Sequence, residues 1–108
     1  MNNTPRLLAA VDMGSNSFRL MIGRVDETTT ANGTASQIFQ VDALREPVRL
    51  AAGLTPDKYL DQPARRRGID ALRRFGDRLR DFAPDQVRAV ATNTLRVYTL
   101  SLHDALPI

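Results

Sequence analysis

The sequence has no cysteine, no tryptophan, one histidine and one lysine among its 108 residues. Without cysteine there is neither a disulfide framework nor a thiolate metal site. A single histidine does not supply the ligand set of a structural zinc centre. Any metal ion bound by this chain would therefore be a hard cation held through oxygen atoms, and magnesium suits that chemistry.

Long apolar runs are also missing. No stretch approaches the roughly 18 consecutive apolar residues of a membrane span, so we expect no membrane-spanning segment. The first apolar run, residues 7–11, has only five residues. Because this is shorter than the apolar core of a secretory signal peptide, we expect a cytoplasmic location.

Aromatic residues make up only 6% of the chain, whereas arginine is abundant. The formal net charge is +3 and the pI is about 10.2. A GC-rich genome explains such an arginine bias, and so does binding to a polyanion, because the guanidinium fork suits phosphate. A small basic polyanion-binding module is therefore an alternative function. Nucleic acid is not the expected partner, because no interleaved aromatic stacking platform is visible.

The most informative segment is 12–20, DMGSNSFRL, which joins two apolar runs through a polar turn. Asp12 closes the first run, and Gly14, with no side chain, permits close backbone approach. A strand, a polar turn and a second strand present amides and hydroxyls in a way that suits a phosphate group. Common turn residues would equally give an ordinary β-hairpin, and this second interpretation stays open at this point.

The remaining pattern predicts a mixed α/β unit. We expect strands over 6–13, 18–25, 37–44 and 48–52, with a turn at Asn32-Gly33. A helix is expected over 62–82, capped by Asp61 and ended by Pro84. Its charges are expected to pair locally one turn apart, as Asp70 with Arg74 and Arg73 with Asp77, which leaves Arg65, Arg66 and Arg67 as its least paired cluster. A strand over 86–91 then completes a helical crossover.

Three segments carry a resemblance to a known family. Segment 12–20 resembles the phosphate-1 motif of the exopolyphosphatase / guanosine pentaphosphate phosphatase (Ppx/GppA) family, and 91–96, ATNTLR, looks like its Ala-Thr-x-x-x-Arg segment. Between them, 46–54, EPVRLAAGL, looks like the strand and turn before the family's first long helix. The resemblance runs in order from about residue 7 to residue 97 and implies the N-terminal part of a ribonuclease H-like domain of the sugar kinase–Hsp70–actin superfamily.

The resemblance also implies roles for individual residues. Asp12 would place a magnesium ion (Mg2+) or its water shell. Phosphate-binding residues would be Gly14, Ser15, Asn16, Ser17, Arg19, Thr92, Asn93 and Arg96. The two arginines of this set would contact phosphate oxygens of the substrate.

The implied activity is hydrolysis of the terminal phosphoanhydride of inorganic polyphosphate by the whole protein, with guanosine pentaphosphate as the alternative substrate. The residues of segment 40–50 favour polyphosphate as the substrate. The resemblance further implies a homodimer for the whole protein. The family's catalytic glutamate and second glycine-rich loop do not follow residue 97 in this sequence, so we expect the 108-residue chain to be inactive alone. We assign 1–97 to a partial phosphatase domain and 98–108 to a tail foreign to the family, and we expect no catalytic role for His103 in that tail.

Overall fold

A four-stranded sheet and one α-helix make up the fold in a computed structural model, which describes residues 6–57 and 59–91. The strands are β1 (Arg6–Met13), β2 (Ser17–Thr30), β3 (Gly33–Pro47) and β4 (Val87–Ala91). Their order across the sheet is β3-β2-β1-β4. β1, β2 and β3 pair antiparallel, and β4 returns parallel to β1 through the helix α1 (Gln62–Arg78), which confirms the predicted crossover and the α/β class.

The β2–β3 hairpin is longer than its sequence pattern predicts. Its ladder runs from Ser17↔Pro47 to Thr30↔Gly33, so the polar residues 26–36, expected as a connection, are paired strand and turn. The predicted turn is confirmed at the tip, where Gly33 has a φ of 125° that favours glycine. Alternation of apolar and polar residues failed to show these strand ends, because beyond Val25 both faces of the hairpin are exposed to solvent.

α1 begins as predicted. The side chain of Asp61 accepts a hydrogen bond from the backbone N–H of Ala64 at 2.9 Å and so caps the helix N-terminus. The helix ends at Arg78, not near Phe82 as expected. Beyond it, the N–H of Phe82 donates to the carbonyl of Leu79 in a turn. Because these two apolar residues are three positions apart, as in a helix, apolar periodicity alone predicts a helix that is too long.

The core lies between α1 and one face of the sheet. Alternate residues of β1 and β2 point toward the helix, and the predicted apolar stripe of α1 packs against them. The fully buried side chains of this layer include Val11, Met13, Phe18, Leu20, Leu72 and Phe75. The opposite face of the sheet, here called the open face, contacts no helix within the described residues.

Among the helices of the described residues, none is long and apolar enough to cross a membrane.

The segment after β3 differs from its prediction. Residues 48–52 were expected as a strand, but a short 3₁₀ helix, Leu50–Gly53, forms there instead. Arg49 precedes it with φ 46° and ψ 51°, a left-handed conformation that ends the extended backbone. Since arginine rarely adopts this conformation, no residue type in the segment signals the break.

The arginines of α1 pair with β3 more than with their own helix. Arg74 donates two hydrogen bonds to the carboxylate of Glu46, at 2.7 and 3.2 Å, and Arg78 pairs with Asp42. The hydrogen bond with Glu46 raises the pKa of Arg74. Asp70 adds to the raised pKa of Arg74 but its ion pair is with Arg73, at 3.9 Å, and Asp77 pairs with Arg80 at 3.3 Å. Local pairing along the chain is therefore confirmed, whereas the two predicted ion pairs, Asp70 with Arg74 and Arg73 with Asp77, were wrong. Sequence spacing shows which residues share a helix face but not which strand lies beside them.

Candidate functional site

The turn between β1 and β2 is tight. The N–H of Gly14 donates to the carbonyl of Ser17 at 3.0 Å. A Cβ atom on Gly14 would lie only 3.2 Å from that same carbonyl oxygen. A residue without a side chain therefore lets the loop 14–17 close, as the sequence indicated.

The loop is held from one side by the segment after β3. The backbone N–H groups of Val48 and Arg49 both donate to the carbonyl of Asn16, at 2.9 and 3.1 Å. The N–H of Leu50 donates to the carbonyl of Ser15 at 2.8 Å. Three backbone hydrogen bonds thus fix both loop carbonyls toward residues 48–50.

This arrangement turns loop N–H groups the other way. In a planar trans peptide the C=O of one residue and the N–H of the next point in opposite directions. Because the carbonyls of Ser15 and Asn16 face residues 48–50, the N–H groups of Asn16 and Ser17 point away from that segment. Successive N–H groups directed out of a turn form the kind of concavity that binds anions.

Arg67 of α1 holds the supporting segment in turn. Its Nε donates to the carbonyl of Val48 at 2.8 Å, and its Nη2 donates to the carbonyl of Arg49 at 2.9 Å. A continuous path of hydrogen bonds therefore runs from the helix through residues 48–50 to the loop. The sequence placed Arg67 in the least paired cluster of the helix and missed its two partners, because backbone carbonyl acceptors leave no sequence signal.

Asp12 and Arg19 lie beside the loop on the open face. They are opposite each other in the register of β1 and β2, one residue pair before the turn. Both side chains are exposed, and within the part of the chain that the structure describes they form no ion pair with each other. A carboxylate and a guanidinium are thus both available to a ligand at this end of the sheet.

The donor set for a magnesium ion consists of one carboxylate. No group of three potential metal-ligating side chains occurs in the described ranges, 6–57 and 59–91. Magnesium keeps several waters and is commonly held by one or two carboxylates together with substrate phosphates. Asp12, exposed next to a turn whose N–H groups are directed outward, fits that mode of binding.

The second predicted phosphate-binding segment falls outside the described residues. β4 ends at Ala91, which is in register with Met13 at the loop end of the sheet. Thr92, Asn93 and Arg96 follow in the chain, beyond the described ranges, and their roles stay predictions, as does the assignment of 98–108 and His103.

Comparison with known proteins points to one family. The model of the Ppx/GppA phosphatase family matches residues 26–99, more than half of the chain. The match begins after the loop 14–17 and includes the other two segments that resemble the family, 46–54 and 91–96.

Solved structures of Ppx/GppA and exopolyphosphatase proteins resemble this chain. The chain resembles the Aquifex aeolicus member of the Ppx/GppA family with a TM-score of 0.70 and 21% identity, over 89% of this chain and 29% of that one. It resembles an exopolyphosphatase-like protein with a TM-score of 0.63 and 28% identity, over 88% and 27% of the two chains. An exopolyphosphatase from Cytophaga hutchinsonii matches with a TM-score of 0.62 and 23% identity, over 87% and 28%. The chain therefore has the fold of the N-terminal part of these actin-like structures and spans less than a third of their length.

Proposed function

This chain belongs to the Ppx/GppA phosphatase family, and we propose that it supplies the first phosphate-binding site of a phosphatase that hydrolyses the terminal phosphoanhydride of inorganic polyphosphate. One observation supports this proposal above the others. The loop 14–17 is fixed by its carbonyls, so that successive N–H groups are directed outward, beside one exposed carboxylate and one exposed guanidinium.

The loop 14–17 and Arg19 bind different oxygens of the phosphate chain. The N–H groups of Asn16 and Ser17, with the hydroxyls of Ser15 and Ser17, hold oxygens of the terminal phosphoryl group. Arg19 donates to oxygens of the same phosphate chain. One guanidinium group can donate two parallel hydrogen bonds to such oxygens. Because these donors are held in place before the substrate arrives, they stabilise charge on the equatorial oxygens without reorganising during the reaction.

Asp12 would hold the magnesium ion, which when bound neutralises charge on the phosphate oxygens. The carboxylate also lies opposite Arg19, so the site offers one acceptor and one donor side by side. Thr92, Asn93 and Arg96 are proposed to add phosphate contacts, and the water-activating base and the second glycine-rich loop are assigned to the rest of the whole protein. Consistent with that assignment, we expect no hydrolysis by the 108-residue chain alone.

The test of this proposal is phosphate release by the whole protein with and without magnesium. The variant D12N should lose about 100-fold or more in kcat, because several kcal/mol of transition-state stabilisation depend on the metal ion. D85N is the matched control: Asp85 is exposed and lies at the opposite end of β4, so it should retain wild-type activity.

Magnesium-dependent hydrolysis by D12N at the wild-type rate would contradict the proposal. Comparing inorganic polyphosphate with guanosine pentaphosphate in the same assay decides the substrate, and we propose the faster turnover for polyphosphate. The cytoplasmic location and the homodimer of the whole protein stay predictions.

The basic polyanion-binding module is less well supported by the structure. Most of the arginines that the sequence offered for such a surface, on the predicted helix over 62–82, already have partners, in Glu46, Asp42, Asp70, Asp77 and two backbone carbonyls. Arg19, beside the loop, is the better anion ligand, because within the described residues it forms no ion pair with a carboxylate.

A further inference from the structure

Arg45 of β3 lies directly opposite Arg19 of β2. The two are register partners in the antiparallel ladder, on the open face of the sheet. Directly opposite residues in such a pair have Cβ atoms roughly 4.5–5.5 Å apart. Two guanidinium groups are therefore placed side by side, in the same row of the sheet as Asp12.

Like charges directly opposite each other destabilise a sheet. Several other arginines have carboxylate partners among the described residues, namely Arg6, Arg24, Arg73, Arg74, Arg78 and Arg80. Neither Arg19 nor Arg45 has one within the described residues, and both are exposed. Within the described residues both guanidinium groups are thus outside any ion pair and accessible to an anion, with the Asp12 carboxylate opposite Arg19 as the one negative group of the row.

The two arginines and Asp12 form a row of charged residues that crosses the sheet beside the loop 14–17. The row runs from Asp12 on β1 through Arg19 on β2 to Arg45 on β3, and neighbouring strands are about 4.8 Å apart. The negative end, suited to a cation, is next to β4, and the two positive groups extend toward the edge strand β3. A phosphate chain held at the loop therefore meets two guanidinium groups in succession as it extends toward β3.

We propose that Arg19 and Arg45 together form a binding site for the phosphate groups that follow the terminal one in an extended phosphate chain. This inference rests on the proposed function and adds Arg45 to it as a residue that determines how strongly a chain, as opposed to a single phosphate, is held. The ligand is recognised by bidentate guanidinium hydrogen bonds to adjacent phosphate oxygens.

The site is tested by calorimetric titration of tripolyphosphate into the 108-residue chain at 50 mM and 200 mM salt. R45Q should weaken binding about tenfold at the lower salt, with a smaller effect at the higher salt because exposed charges are screened. Inorganic phosphate alone, which is too short to reach both groups, should bind R45Q and wild type equally. R88Q is the matched control, since Arg88 lies on the open face opposite Ala10 and should change the affinity less than twofold.

A second readout separates ligand binding from folding. Because R45Q removes a positive charge from the position directly opposite Arg19, its Tm at low salt without ligand should equal or exceed that of the wild type. R45K keeps the charge but not the fork and should bind tripolyphosphate with intermediate affinity.

Wild-type affinity of R45Q for tripolyphosphate, or an equal loss in R88Q, would overturn the site and leave the proposed function standing. Binding requires no hydrolysis. An inactive whole protein that still loses tripolyphosphate affinity through R45Q would overturn the proposed function and leave the site standing.

Discussion

Arg49 is the one non-glycine residue with a positive φ, 46°, in the part of the chain that the structure describes. Such a conformation costs about 1–3 kcal/mol and persists where its surroundings determine it. Here its N–H donates to the carbonyl of Asn16 and its own carbonyl accepts from Arg67. The strained residue thus connects the helix to the loop, and the hydrogen bonds on both sides of it offset the strain.

The first prediction concerns that connection. R67K should lower the free energy of unfolding by about 1–3 kcal/mol, because one ammonium group does not replace two donors to the carbonyls of residues 48 and 49. R66K is the matched control, an exposed arginine next in the chain. Urea denaturation of both variants measures the difference.

Hydrogen exchange adds a local readout for the same variant. The amides of residues 48–50, which donate to the loop carbonyls, should exchange faster in R67K than in R66K. Equal stability and equal exchange in the two variants would show that Arg67 does not support the loop.

At the level of secondary-structure elements, the sequence predicted the parts whose signals are local. The cap at Asp61, the turn before Gly33 and the crossover to β4 are confirmed, since each depends on a residue type or on a simple period. The strand over 48–52 and the last turn of the helix were wrong. The extended backbone ends at Arg49, which has a left-handed conformation, and a turn from Leu79 to Phe82 replaces the last turn of the predicted helix. Neither feature has a sequence signature.

The same limit applies to the candidate site. Asp12, Gly14 and Arg19 are found together at one end of the sheet, as their order in one short segment predicted. Arg45 and Arg67 are far from this segment in the sequence. They reach its neighbourhood only through the register of β3 and the packing of α1, which no motif in a single sequence encodes.

The side chain of Asp61 is expected to stabilise α1 through its capping hydrogen bond. D61A should lower the free energy of unfolding by roughly 0.5–2 kcal/mol, because the N–H of Ala64 loses its acceptor. D61N should cost much less, since asparagine caps helices about as well as aspartate. Thermal unfolding of the pair measures this difference, and equal losses in both variants would mean that the cap does not act through its hydrogen bond.

At the level of the whole molecule, the sheet has two different faces. α1 covers one face with an apolar core in which no polar or charged residue is buried within the described chain. The open face carries the row of Asp12, Arg19 and Arg45 at the end where the loop 14–17 lies. Packing on one side therefore fixes the register that brings the charged groups together on the other.

The most direct test of this account is an NMR titration of the ¹⁵N-labelled 108-residue chain with tripolyphosphate and magnesium. The account predicts that the largest amide shift changes occur at residues 14–17, with smaller changes at Arg19 and Arg45. Changes confined to the arginines of α1, with the loop amides unmoved, would contradict it and would favour a basic surface that binds polyanions without a phosphate loop.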